Sequence, residues 1–252
     1  MNVSMYQAAA ALNANSRWQE VIAQNLAASS VPGYKSQELS LEAVRSGLMP
    51  QGSLNSAGSP QFFTLPKATA TTNFQGGDMT YVGDKYDVAI QGNAFIEVRM
   101  PNGKTALTRD GEFHVNVKGQ LVTREGYTVM SAEGPIQLDL NSGAQVSISP
   151  NGDVSQGENT IGTIKMDEYD HPNLLTQLGG GYYAANNASV KLHKIPTAST
   201  LREGYIEESN TSVVKEMADM ITAQRGFEAN TKIIQMQDDR LGKVISELGN
   251  PT

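Results

Sequence analysis

Apolar residues return every seven positions through the last part of the chain. Val213, Met220, Phe227, Ile234, Leu241 and Leu248 form one set. Met217, Gln224, Thr231, Asp238 and Ile245 form a companion set of mixed polarity. This beat predicts one long helix with a narrow seam, the spacing of helices that assemble side by side. The other faces carry Lys215, Glu216, Arg225, Lys232, Asp239, Arg240 and Lys243. A helix so charged outside its seam is poorly suited to the interior of a globular core. At the opposite end, Met5, Ala8, Leu12, Asn15, Gln19, Ile22 and Leu26 follow alternating steps of three and four. They predict an amphipathic helix that Pro32-Gly33 terminates.

Between these helices the pattern changes twice. Residues 35–75 are rich in Ser, Gly, Pro and Thr, and Lys67 is the one charge between Arg45 and Asp78. They read as an extended linking segment. From 76 to 205, short apolar runs alternate with turn signals: "YDVAI", "AFIEVRM", "TALT", "EFHVNV", "QLVT" and "YTVM", then "QVSIS" and "TIGTIKMDEY". In "EFHVNV", Phe113, Val115 and Val117 fall on one face and His114 and Asn116 on the other, as in a half-buried strand. The expected body is a twisted barrel or sandwich of many short strands. The fold class is therefore α+β, with two terminal helices forming a coiled-coil-like domain around a central all-β domain.

Each helix has a stripe to bury, and the simplest arrangement pairs the two. Two long helices alone are marginal in water, so further partners are expected, namely other copies or relatives of this chain.

Composition narrows the functions. The chain has 252 residues, a net charge of −7 and a pI of about 5.0, with no Lys/Arg cluster. Nucleic acid is not an expected partner. The absence of cysteine removes disulfides, thiolate metal sites and cysteine nucleophiles. The first charge is Arg17 and the run Ala8–Leu12 is short, so no cleavable signal is expected. No apolar stretch is long enough to predict membrane insertion.

The candidate chemistry is thin. His114, His171 and His193 share no ligand spacing. "LGGGYY" from Leu178 lacks the Lys-Ser/Thr of a phosphate loop and reads as a turn, and "PNGD" from Pro150 reads as a hairpin turn. Asp110 and Glu112 could form a glycosidase carboxylate pair, but Asp-Gly within "RDGEF" is hairpin chemistry. No catalytic residue, metal or cofactor is expected.

Three motifs carry a family resemblance. "QNLAASSVPGYKSQ" (Gln24 to Gln37) resembles the N-terminal signature of bacterial flagellar rod and hook proteins through Asn25, Leu26, Ala27, Gly33, Tyr34 and Lys35, with Ala28 where a second Asn is usual. "YDVAIQGNAFIEV" with "LTRDGEFHVNVKGQLVTREGYTV" resembles the central β motif. "EESNTSVVKEMADMITAQRGFEANTKIIQ" resembles the C-terminal signature. Length and a single β body resemble the proximal- and distal-rod members, and the opening resembles the proximal type.

The resemblance implies a structural subunit, not an enzyme, that polymerises through its terminal helices into a helical torque-transmitting shaft. It implies a place in the basal-body rod, crossing the periplasm, and export by the flagellar type III apparatus without signal cleavage. The partners implied are other copies and related rod and hook proteins. The alternatives are a non-polymerising assembly adaptor and a carbohydrate-active β-domain enzyme. The expected divisions are 1–34 (helix and signature), 35–75 (linking segment), 76–205 (β domain) and 206–252 (C-terminal helix). The expected assembly surface comprises Met5, Leu12, Ile22, Asn25, Leu26, Val213, Met217, Met220, Gln224, Phe227, Ile234, Leu241, Ile245 and Leu248.

Overall fold

A computed structural model describes residues 3–48, 62–186, 192 and 199–248. His193 lies outside them, as do the side chains of Ile245 and Leu248. The chain forms two compact units and passes between them four times, at 27/28, 36/37, 71/72 and 211/212.

The first unit holds helix α1 (Val3–Ala27), strands β1 (Gln37–Leu48) and β2 (Phe62–Thr72), and helix α2 (Val213–Leu248). β1 and β2 pair as a two-stranded ribbon. Much of the expected linking segment is therefore regular structure. Its low charge and its Ser, Gly and Thr content concealed the strand pairing. α1 stops at Ala27, short of Pro32, because Val31 N–H donates to the Ala28 carbonyl (3.1 Å) and turns the chain early.

The helices are antiparallel. Asn25 hydrogen-bonds to Glu216, and Asn15 lies against Gly226, so each step forward on α1 is a step back on α2. A methyl group added to Gly226 would come within 2.9 Å of the Asn15 amide nitrogen, so the Asn15 side chain sits close against the glycine and would have to shift to admit it. Continued in this register, Val3 falls opposite Asp238. The remainder of α2 runs past the described start of its partner.

The second unit is residues 28–36 and 72–211. Its strands are β3 (Met79–Tyr81), β4 (Val88–Gln91), β5 (Phe95–Arg99), β6 (Thr105–Thr108), β7 (Phe113–Val115), β8 (Leu121–Thr123), β9 (Thr128–Val129), β10 (Val146–Ile148), β11 (Asp153–Gln156), β12 (Asn159–Thr163), β13 (Met166–Asp167), β14 (Thr176–Gly179), β15 (Tyr182–Ala184), β16 (Thr200–Glu203) and β17 (Tyr205–Glu207). The main sheet runs β14-β15-β6-β5-β9-β8-β7, with β13 also on β5. β10-β11-β12 form a second sheet, and β16-β4 and β17-β3 form two pairs.

β5 is buried on both faces. Ile96 and Val98 join a core with Ile90, Leu121, Ile136 and Val154, while Phe95 packs with Leu107, Leu175 and Tyr183. Phe95 meets Phe74 edge-on at 5.6 Å and Tyr183 at 5.8 Å. Such pairs add about 0.5–1.5 kcal/mol to area burial.

Two turns agree with the sequence. "PNGD" joins β10 to β11, and the glycines of "LGGGYY" link β14 to β15, all three at positive φ. Two local readings are corrected. Val117 is 94 % exposed, because β7 ends at Val115 and the Asn116 side chain caps the following turn through Lys118 and Gln120 N–H groups. Asp110-Gly111 is not a hairpin turn, since β6 and β7 are not neighbours in the sheet. Gly111 instead presses on Val88, where a Cβ would lie 1.7 Å from the carbonyl oxygen.

Candidate functional site

No catalytic constellation emerges from the described residues. The organised chemistry is instead a pair of polar ties, one in each unit, beside the passages of the chain.

In the first unit, Asn25 at the end of α1 is 1 % exposed. Its Nδ2 donates to the Gln37 carbonyl (2.9 Å) and its Oδ1 accepts the Gln37 N–H (2.9 Å), so its amide pairs with the start of β1 as a strand would. It also hydrogen-bonds to the Glu216 carboxyl on the first turn of α2. Burial pushes that carboxyl up, and the bond from Asn25 opposes the rise. One side chain thus joins α1, β1 and α2.

In the second unit, residues 28–36 carry the Gly-Tyr-Lys signature. Gly33 has φ +65, and a Cβ on it would lie 2.3 Å from the Arg109 carbonyl carbon. Only glycine combines that backbone with that approach. Lys35 follows with its ammonium fully buried. It donates to Glu207 Oε1 at 2.5 Å and to the Gln75 carbonyl at 2.8 Å. Arg109 donates from Nε to Glu207 Oε2 at 3.0 Å and from its other nitrogens to the Ala94 and Gly92 carbonyls at 3.1 and 2.9 Å. Gly77 N–H also reaches Glu207 Oε1 at 2.9 Å.

Burial alone would push the Glu207 carboxyl up. Arg109, Lys35 and the bonds they and Gly77 make outweigh it and hold Glu207 below the usual carboxylate range. Burial draws Lys35 down from the ordinary lysine value, with Glu207 opposing. Two cations share one buried carboxylate and place further donors on backbone carbonyls, which compensates much of the cost of burying them.

Asn210 completes this tie. Its Oδ1 accepts Ser36 N–H (2.8 Å), and its Nδ2 donates to the Asn73 and Gln75 carbonyls (2.9 and 3.0 Å). The segments beside three passages, at Ser36, Asn73 and Asn210, are thus fastened to one another.

The expected assembly residues divide by position. Every residue of the α1 stripe is buried or half-buried; Ile22 and Asn25 are fully buried, and Met5, Leu12 and Leu26 partly so. On α2, Met220, Phe227 and Ile234 are half-buried. The second inward row, however, is Glu216 and Ala223, both buried, with Asn230 and Gln237 half-buried, one position before the companion set, of which Thr231 is also half-buried. Met217 (56 % exposed) and Gln224 lie outside the α1–α2 pairing, as do Val213 and Leu241 at 43 % and 41 %. Three of the four inward-row residues are polar, which hid that row from an apolar count. Lys35 and Asn210 were visible only within signatures, and nothing in sequence spacing joined them to Arg109 or Glu207.

Two family models match this chain: the flagellar hook protein FlgE/F/G D1 domain over residues 89–156, and the flagellar basal body rod FlgEFG protein C-terminal region over 202–247. The second covers Glu207, Asn210 and nearly all of α2. A flagellar basal-body rod protein FlgG from Buchnera aphidicola is 31 % identical over 242 residues, covering 89 % of this chain and 91 % of that protein. FlgG from Borreliella burgdorferi is 30 % identical, covering 95 % and 96 %. FlgF from Mesorhizobium japonicum is 29 % identical, covering 99 % of both.

Proposed function

We propose a mode of assembly for this chain from one premise: it belongs to the family of flagellar basal-body rod proteins. It is a structural subunit of the bacterial flagellar basal body, and it assembles with other rod and hook proteins.

Its terminal helices make the polymer contacts. The observation that carries this reading is the apolar surface that α2 keeps after pairing with α1. Met217 and Ile221 are 56 % and 55 % exposed near its start, and Leu241 and Val244 are 41 % and 50 % exposed near its end. Neighbouring copies or relatives cover these positions, along with Ile245 and Leu248 on the same stretch. Contacts that repeat without closing generate a helix of subunits. The shaft crosses the periplasm, and the subunit reaches it through the flagellar type III export apparatus with its N-terminus uncleaved.

The test uses residues that the single chain leaves exposed. Leu241→Asp or Val244→Asp should leave the monomer folded and block incorporation, because a buried unpaired carboxylate costs several kcal/mol. Phe227→Asp should do the same while also weakening the helix pair. Normal rod occupancy and motility with Leu241→Asp would overturn this mode. For export, a deletion of residues 2–24 spares residues 28–36 of the β unit, and its product should remain in the cytoplasm.

A further inference from the structure

Glu207 has two cations; among the described residues, the buried carboxylates of Asp110 and Asp87 have none. Asp110 is 2 % exposed and Asp87 6 % exposed. Among the described residues, no Lys, Arg or His nitrogen comes within 4.0 Å of either carboxylate. Asp110 accepts the Glu112 N–H at 2.9 Å, and its own N–H donates to Thr108 Oγ1 at 3.0 Å. Asp87 accepts the Phe113 N–H.

The surroundings are acidic. Asp110 faces Glu112 on its own segment, Glu125 and Arg124 on the turn after β8, and the Tyr182 phenol on β15, which itself hydrogen-bonds to Glu125. Asp87 faces Asp84 and Glu112. Arg124, the cation that acts on Asp110, is 68 % exposed and leans on Glu112 at 3.9 Å. Burial pushes Asp110 up to about 7, and burial with the Asp84 and Glu112 charges pushes Asp87 up to about 6.

This cluster lies under a structural contact. Gly33 rests on the Arg109–Asp110 peptide, Gly111 rests on Val88, and Arg109 is one arm of the Glu207 tie. A charge appearing on Asp110 therefore acts on the peptide that seats residues 28–36.

We propose that the buried Asp110 carboxyl is a proton-controlled seat for residues 28–36, firm when protonated and loosened when ionised. A carboxyl whose folded pKa lies above its unfolded value contributes stability below the unfolded value and loses it as pH rises through the folded one. The window here runs from about pH 4 to about pH 7.

The experiment uses the full chain, with hydrogen exchange at the Gly33 and Tyr34 amides corrected for intrinsic rate. Wild-type protection should fall about tenfold or more from about pH 5 to about pH 8, as expected when a shifted carboxyl ionises. Asp110→Asn keeps the acceptor for Glu112 N–H and mimics the neutral carboxyl, so its protection should fall less with pH than that of the wild type, the remaining slope coming from Asp87. Carboxyl-carbon NMR of the wild type should show Asp110 titrating near neutrality, a readout that does not depend on the variant folding. An Asp110 midpoint below about 5, or equal pH slopes in both proteins, would overturn the proposal.

Discussion

The two units are held together by different means. The β unit buries Ile90, Phe95, Ile96, Val98, Leu121, Ile136, Val154, Ile164 and Tyr183 nearly completely. The helical unit buries Val21 and Ile22, and otherwise Ala8, Ala14 and Ala223, with Asn25 and Glu216 among them. At about 25 cal/mol per Å² of apolar surface, a seam whose larger residues, such as Leu12, Met220, Phe227 and Ile234, are only half-buried yields less than layers of fully buried Ile, Val and Phe. The β unit has the core of a self-sufficient domain. The helix pair has a contact surface whose small residues permit close approach but recover little of the ordering entropy. If the helices make the polymer contacts, a subunit built this way should have one part that folds alone and one part that matures by joining neighbours.

The largest expected effect compares the units directly. In dilute monomer, amides of α1 and α2 should exchange at least about a hundredfold faster than those of β5 and β6, because local opening of a thin seam costs much less than opening the core. Residues 28–36 should behave as the β unit does, although they adjoin α1 in sequence. Equal protection across both units would mean that the helix pair is stable by itself.

Next comes the tie inside the β unit. Glu207→Ala leaves Lys35 and Arg109 buried without a counter-charge, and should cost about 3–5 kcal/mol. Chemical denaturation followed by a β-unit probe measures it. A loss below about 1 kcal/mol would show that water replaces the carboxylate, as at exposed pairs. Glu207→Gln should be only somewhat milder, since its one amide oxygen can still accept from Lys35 and Gly77 while its NH2 meets the Arg109 Nε–H donor.

These sites differ in how far the sequence revealed them. The α2 helix and its Met220–Phe227–Ile234 row follow from periodicity alone, because a seven-residue beat has one physical meaning. Its partner row did not, because Glu216, Asn230 and Gln237 are polar and the exposed Met217 imitated a seam residue. The central strands were legible as apolar runs between turns. The β1–β2 ribbon was not, as its pairing rests on backbone bonds more than on apolar content. Lys35, Arg109 and Glu207 are far apart in sequence, and only three-dimensional closure makes them one object. Asp110 beside a glycine imitated a turn, while its burial came from β-unit packing that no local pattern encodes.

A smaller effect is expected at Gly33. Gly33→Ala places an L residue at φ +65 and a methyl against the Arg109 carbonyl. The backbone conformation alone costs about 1–3 kcal/mol. Thermal melting should show the loss within the β unit, with the helix pair unaffected in the monomer. An unchanged melting temperature would mean that residues 28–36 can shift away from Arg109 without penalty.

The smallest effect belongs to the charged outer face of α2. Asp239 and Lys243 are both exposed, four residues apart, on the last part of α2. On an isolated helix such a pair contributes about 0.2–0.5 kcal/mol, and salt reduces it. Asp239→Ala or Lys243→Ala should therefore change monomer stability by less than about 1 kcal/mol. The same stretch carries Leu241 and Val244, so the pair distinguishes its apolar contribution from its charged one. If the apolar residues make the polymer contact, either alanine variant should still assemble and support motility, with a modest shift in salt dependence. Complete loss of assembly with Asp239→Ala would mean that neighbours read the charges of α2 and not its apolar surface, and the contact would have to be rebuilt around an ion pair.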